Sequence, residues 1–410
     1  MLYDQFARFW ILLLACCALA SAPAHAQDLS QPGPWAAGER SVTVTRPDNT
    51  TFTARLYYPA TSAGVDAPFQ PQGAPYPGIT FGHGFLTPVS NYASTLRHLA
   101  TWGHFVIATT TQGTLFPSHS AFALDMRHCL TWLEQQNQSA QSPYFGAVLT
   151  QAFGAAGHSM GGGATILAAA ADPRIVAIAP MAPANTNPSS ITAMASVSVP
   201  ARLICGTQDT IVPTASNGQL MYNGAPGPRQ LLSILNGWHC GFVDTPPAGG
   251  LGCDSGALPL DQQLSIVRRH LTSFFRLHLG GDQALWGQVW GVPLLLDGTT
   301  SVQRDPRANF TPSVVRKNGF AGDTLDFPLV LKNEGPAATS FSLFTEQNTW
   351  TAWLSTTQTA VLAPGQSETV HLYVLVPAAS PNSVDRCTVS ARRDLDNAVR
   401  AFARTGSKRL

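Results

Sequence analysis

The sequence predicts an α/β chain in which a mostly parallel sheet is covered by helices on both faces, followed by a smaller all-β sandwich. Three observations predict it. Short apolar runs alternate with stretches of helical spacing from "PGITFGHG" to "DQQLSIVRRHLTSFFRLHL", a pattern that needs right-handed crossovers and a sheet buried on both sides. Near Gly291 the helical spacing stops, and short alternating runs separated by Gly, Pro, Asn and Ser take over. The chain has 410 residues, more than one ordinary core accommodates.

The first 26 residues read as a targeting segment. Arg8 supplies positive charge, "FWILLLACCALA" an apolar core, and Ala24 to Ala26 the small residues before a cut at Gln27. The run is short for a membrane span, so a cleaved signal is expected over an uncleaved anchor, with no membrane association after cleavage. The mature chain is then secreted or periplasmic and folds under oxidising conditions. Five cysteines remain, Cys129, Cys205, Cys240, Cys253 and Cys387, so one at least is left over. Cys240 and Cys253 flank the Gly/Pro-rich "GFVDTPPAGGLG" and would close a short loop; Cys205–Cys240 is the rival pairing.

In order along the chain, "SVTVTR" and "FTARLYYP" alternate as a hairpin at a sheet edge. "PGITFGHG" is a strand ending in glycines. "SNYASTLRHLATWG" is a helix with its N-cap at Ser90 and its stop at Gly103. "HFVIATTT" is a strand, "SAFALDMRHCLTWLEQQ" a helix, "AFGAAGH" a strand and "MGGGATILAAAA" a helix. Strands follow at "IVAIAPMAP", "ARLICGTQD" and "RQLLSILNGWH", and "DQQLSIVRRHLTSFFRLHL" closes the unit as an amphipathic helix. The expected units are a signal segment over 1–26, an α/β unit over 27–297, a linker between Asp297 and Pro306, and a sandwich over 307–405.

Net charge is +1 and charged residues make up only 11%, so nothing here suggests nucleic acid or anionic lipid as a partner. No His/Cys/Asp cluster has metal-ligand spacing, "GGGAT" lacks the P-loop lysine, and "GHSMGG" does not fit the dinucleotide pattern. No cofactor or metal is expected.

Gly157-His158-Ser159-Met160-Gly161 fits Gly-x-Ser-x-Gly. A nucleophile on a tight strand-to-helix turn has a strained backbone, and side chains two residues to either side would collide with it. The turn exposes the serine oxygen and aims a helix N-terminus at a developing oxyanion. A serine hydroxyl also needs a base, and the base an orienting carboxylate. His239, in the loop "LNGWHCGF", is the expected base; His270, His278 and His371 lie on the closing helix or in the β unit. Asp209, at the end of "ARLICGTQ", is the expected acid. Asp172 ends the helix after the serine, and Asp244 and Asp254 follow the histidine in the wrong order. "FGHGF" supplies the second oxyanion donor, making the N–H groups of Phe85 and Met160 the expected hole. His83 is expected to shape that loop.

With serine, acid and histidine in that order, the chain resembles an α/β-hydrolase. Within that fold it resembles the secreted cutinase-like polyesterases and the related chlorophyllase and dienelactone hydrolase group, through "PYPGITFGHGF", "HLATWGHFVIATTT", "GHSMGGGAT", "IAPMAP", "CGTQDTIVP" and "NGWHCGF". The resemblance implies a substrate cleft bordered by Phe85, Ala184, Ile211 and Trp238. Ala184 stands where that group carries a tryptophan, so Phe85 keeps one wall of an aromatic clamp whose other wall is missing. The Cys240–Asp254 stretch is longer than the loop expected there. "VLKNEGPAATSFSL" and "LAPGQSETVHLYVLVP" resemble bacterial immunoglobulin-like modules appended to secreted enzymes, with Trp350 and Trp353 as candidate binding aromatics, core packing being expected of at least one.

The expected function is a secreted serine carboxylic-ester hydrolase acting through an acyl-enzyme on a neutral, apolar ester, small or polymeric. A polyester hydrolase and a non-catalytic binding protein of the same fold are the alternatives.

Overall fold

The computed structural model describes residues 27–246, 253–290, 292–305, 308–333, 338–346, 348–378, 380–394 and 398–410. The signal segment expected over 1–26 lies outside them, as does part of the loop between Cys240 and Cys253.

The first unit is a ten-stranded sheet in the order β10-β9-β8-β7-β6-β4-β5-β2-β1-β3. Its strands are β1 (Ala36–Thr45), β2 (Thr51–Ala60), β3 (Gly64–Val65), β4 (Tyr76–Gly82), β5 (Phe105–Thr109), β6 (Val148–His158), β7 (Ile175–Met181), β8 (Ala201–Gly206), β9 (Arg229–Ile234) and β10 (Thr300–Asp305). Strands β4 to β9 run parallel. The expected hairpin of β1 and β2 carries the antiparallel edge.

Each inner strand buries both faces, so alternate residues feed different cores. In β5, Val106 and Ala108 join α1 (Ala93–Thr101) and the closing helix Leu260–His278 on one side. Phe105 and Ile107 join α2 (His119–Gln138) and α3 (Met160–Ala171) on the other.

Two expectations are corrected. Ser90 does not cap α1: Val89–Tyr92 forms a 3-10 turn, and the Ser94 N–H is taken instead by the distant Asp244 carboxylate. The stretch expected as a linker is part of the sheet, because Thr300–Asp305 pairs antiparallel with β9. The first unit therefore reaches Asp305 rather than ending at 297.

Beyond it lie β11 (Ala308–Thr311), β12 (Val314–Gly319), β13 (Thr324–Asn333), β14 (Phe341–Glu346), β15 (Ala352–Leu354), β16 (Ser367–Leu375), β17 (Val384–Arg393) and β18 (Ala398–Arg409). They form two four-stranded sheets, β11-β13-β16-β15 and β12-β18-β17-β14. Inward residues of both, Phe327 and Leu372 from one and Phe341 and Val389 from the other, share one core. Trp350 is buried there, whereas Trp353 is exposed. Arg386 pairs with Glu134 of α2 at 2.9 Å, and Arg316 donates to Gln151 of β6 at 2.7 Å, tying the units together.

Candidate active site

Ser159 sits between β6 and α3 with φ 56° and ψ −118°, a left-handed conformation that a side-chain-bearing residue adopts only when its surroundings enforce it. They do. Its N–H donates to the Met181 carbonyl at 3.0 Å, and its own carbonyl accepts from Gly163 and Ala184. A Cβ on Gly157 would press on the Gly161 carbonyl, and one on Gly161 on the Gly82 carbonyl, both inside van der Waals contact. The glycines are therefore required by the closeness of β4 and the turn.

His239 follows β9 and turns back over the serine. Its Nε2 lies 3.0 Å from Ser159 Oγ, and its Nδ1 lies 2.8 Å from Asp209 Oδ2. All three residues are buried. The other carboxylate oxygen of Asp209 accepts the N–H groups of Ile211 at 3.0 Å and Val212 at 2.7 Å. The carboxylate is thus held by charge-stabilising donors on one side and the imidazole on the other. The serine, base and acid expected from the sequence come together as one hydrogen-bonded line.

Met160 opens α3, and Phe85 lies on the loop after β4. His83 fastens that loop: its ring nitrogens sit 2.8 Å from the Gly84 and Thr111 carbonyl oxygens. Asp172 is buried and ion-paired with Arg174 at 2.6 Å. Burial pushes its carboxyl up, but the Arg174 hydrogen bonds and charge bring it below the usual range. His270 and His278 are buried on the closing helix.

A strand–turn–helix serine, an acid loop after β8 and a histidine loop after β9 make a fold diagnosis, and similarity to known proteins decides it. The model of the PET hydrolase-like family matches residues 18–246, more than half of the chain. The chain belongs to the PET hydrolase-like family. It therefore has the α/β-hydrolase fold. A bis(hydroxyethyl) terephthalate hydrolase of Streptomyces coelicolor is 29% identical over 187 residues, 45% of this chain and 54% of that protein. Cutinase est1 of Thermobifida alba is 28% identical over 166 residues, 40% of this chain and 53% of that protein. The chain spans about half the length of these relatives.

Of the residues expected at the family's substrate cleft, Phe85 is 46% and Ile211 42% exposed, and Ala184 is half-buried next to the serine turn. Trp238 is the most enclosed of the four. It is 8% exposed, its indole N–H donates to the Leu258 carbonyl at 3.0 Å, and it packs in the core. Its polar end is satisfied inside, so it braces the histidine turn.

Cys240 and Cys253 form a disulfide, and Cys129, Cys205 and Cys387 are free and buried. Burial pushes the Cys205 thiol up to about 12. The bridge brings in a residue that sequence reasoning discarded. Asp254 accepts from Thr210 N at 2.9 Å and from Cys240 N at 3.2 Å, neighbours of the acid and of the base. Only its place beside Cys253 hinted at this. Among the described residues, no group of three or more His, Cys, Asp or Glu is placed to hold a metal, and no helix is long and apolar enough to cross a membrane.

Proposed function

We propose that the protein is a secreted serine carboxylic-ester hydrolase acting through an acyl-enzyme. The Ser159–His239–Asp209 line carries the reading. His239 Nε2 takes the hydroxyl proton as Ser159 Oγ attacks the ester carbonyl. Asp209 keeps Nδ1 protonated and stabilises the imidazolium. The Phe85 and Met160 N–H groups hold the oxyanion, a kind of contact worth about 3–4 kcal/mol per donor. The imidazolium then protonates the departing alcohol. Water, activated by the same base, attacks the acyl carbon and frees Ser159. The apolar segment at the N-terminus and the Cys240–Cys253 bridge support secretion.

Polyesters are the favoured substrate class. Phe85, Leu86, Leu115, Phe116 and Ile211 lie on loops after β4, β5 and β8, and all are exposed, Phe116 by 93%. Such an apolar rim suits a bulky, uncharged chain better than a small ionic ester. The names of the two relatives, a bis(hydroxyethyl) terephthalate hydrolase and a cutinase, speak for uncharged ester substrates. The C-terminal unit, with its two facing sheets, is read as an immunoglobulin-like module.

The test is hydrolysis of p-nitrophenyl esters from C2 to C12 and of an insoluble polyester film, with Ser159→Ala as control. Serine-dependent turnover of both supports the polyester reading. Turnover of soluble esters alone restricts it to small esters. Turnover of neither, with film still bound, turns it toward the binding-protein alternative.

A further inference from the structure

A buried chain of hydrogen bonds runs behind the triad and takes no part in the proton transfers above. Gly84, one residue before Phe85, donates its N–H to Tyr92 Oη at 2.9 Å. Having accepted there, the phenol has its own proton free to give, and His158 Nδ1 lies 2.9 Å away. With the phenol as donor and Nδ1 as acceptor, the His158 proton is assigned to Nε2. The His239 main chain lies beside the ring, and Nε2 makes no full hydrogen bond among the described residues. The His158 and His239 rings pack tilted at 4.6 Å between centroids, and Phe242 lies against His158 at 5.4 Å.

Every link is buried. Tyr92 is fully enclosed and packs on Phe81 at 5.1 Å, and His158 is 3% exposed. Burial, and then the neighbouring His239, holds the His158 imidazole well below its ordinary range, in the neutral form. A neutral ring is what the phenol requires, because an imidazolium has no lone pair to receive its proton. A Cβ on Gly84 would meet Tyr92 Oη at 2.9 Å and His158 Nδ1 at 3.2 Å, so the loop lies directly on the pair.

We propose that Tyr92 and His158 are positioning residues: a strut that sets the Gly84-Phe85 backbone against Ser159 and His239, and so places the Phe85 oxyanion donor. The strut acts through the loop and touches no substrate. It rests on the esterase reading above.

Misplacing an oxyanion donor weakens the transition state more than the bound ester. The test is steady-state kinetics on a soluble p-nitrophenyl ester with wild type, Tyr92→Phe, His158→Leu and His158→Asn. Affinity for a phenylboronic acid, which forms a tetrahedral adduct on serine, is measured alongside. Tyr92→Phe and His158→Leu are expected to lower kcat roughly tenfold to a hundredfold, with KM within about threefold. Boronate affinity should fall in parallel with kcat/KM. His158→Asn keeps an acceptor near the Nδ1 position and should recover most of the loss. A folded Tyr92→Phe with wild-type kcat and boronate affinity overturns the strut. So does His158→Asn behaving no better than His158→Leu, which is the deciding comparison should Tyr92→Phe not fold. A wild type without Ser159-dependent turnover sinks the esterase reading itself, and the strut with it, and is distinguishable because it appears before any variant is compared.

Discussion

Asp209 Oδ2 lies 2.8 Å from His239 Nδ1, while its partner oxygen is gripped by two backbone N–H groups. The carboxylate therefore arrives at the imidazole already oriented, and its charge, not only its hydrogen bond, fixes the tautomer. Asp209→Asn is expected to lower kcat on a p-nitrophenyl ester by about three to four orders of magnitude with KM little changed. A loss below tenfold would mean that another group orients the base.

The serine turn is held by closeness, so it should be intolerant of one methyl. Gly161→Ala drives a Cβ into the Gly82 carbonyl. It is expected to cost about 1–3 kcal/mol of stability and most of the activity, since the turn carries both the nucleophile and Met160. Gly113→Ala, where nothing lies within 4 Å of the added carbon, should stay within about 0.5 kcal/mol of wild type. Urea unfolding of the two variants checks the contrast.

The Cys240–Cys253 bridge closes a sequence separation of 13, and Asp254 beside it holds the backbone next to both acid and base. Reduction is expected to cost about 3 kcal/mol by loop entropy and to lower kcat. Asp254→Ala in the oxidised protein should reproduce part of the kcat loss with less loss of stability, read by thermal melting and ester kinetics side by side. If reduction lowers the melting temperature but leaves kcat untouched, the bridge has no part in holding the site.

Buried histidines set an acid limit. Burial lowers His98, His104 and His270 from 6.5 to about 4. Between about 4 and 6.5 the unfolded chain binds protons that the folded one refuses. The stability these groups allow is therefore complete above pH 6.5 and falls as pH drops toward 4, by at most about 1.4 kcal/mol per pH unit for each residue. Melting temperature should decline from pH 6.5 to 5, before the carboxylates titrate, and His104→Asn should flatten the decline. A melting temperature constant over that interval contradicts this assignment.

The Ser159–His239–Asp209 hydrogen-bonded line was legible because each member follows a strand's C-terminal end and the order Ser, Asp, His is the one such a fold needs, so local patterns around the three positions suffice. What was not legible depends on distant pairing. The Ser94 N–H finds Asp244, not Ser90. Thr300–Asp305 carries no helical or strongly apolar signal and becomes a strand only because β9 offers an open edge. That Leu258, 20 residues on, takes the Trp238 indole N–H has no local signal either. Asp254 and Tyr92 act through tertiary contacts at sequence distances of 44 and 66 from Thr210 and His158, beyond any local window.

The most direct test of the central claim is covalent labelling. Mature protein is treated with a fluorophosphonate, digested and weighed peptide by peptide while ester hydrolysis is followed. The account predicts one equivalent of label, on the peptide carrying Ser159, with activity lost in step, and no label on Ser159→Ala. Label on another residue, or activity that survives full labelling of Ser159, would contradict it.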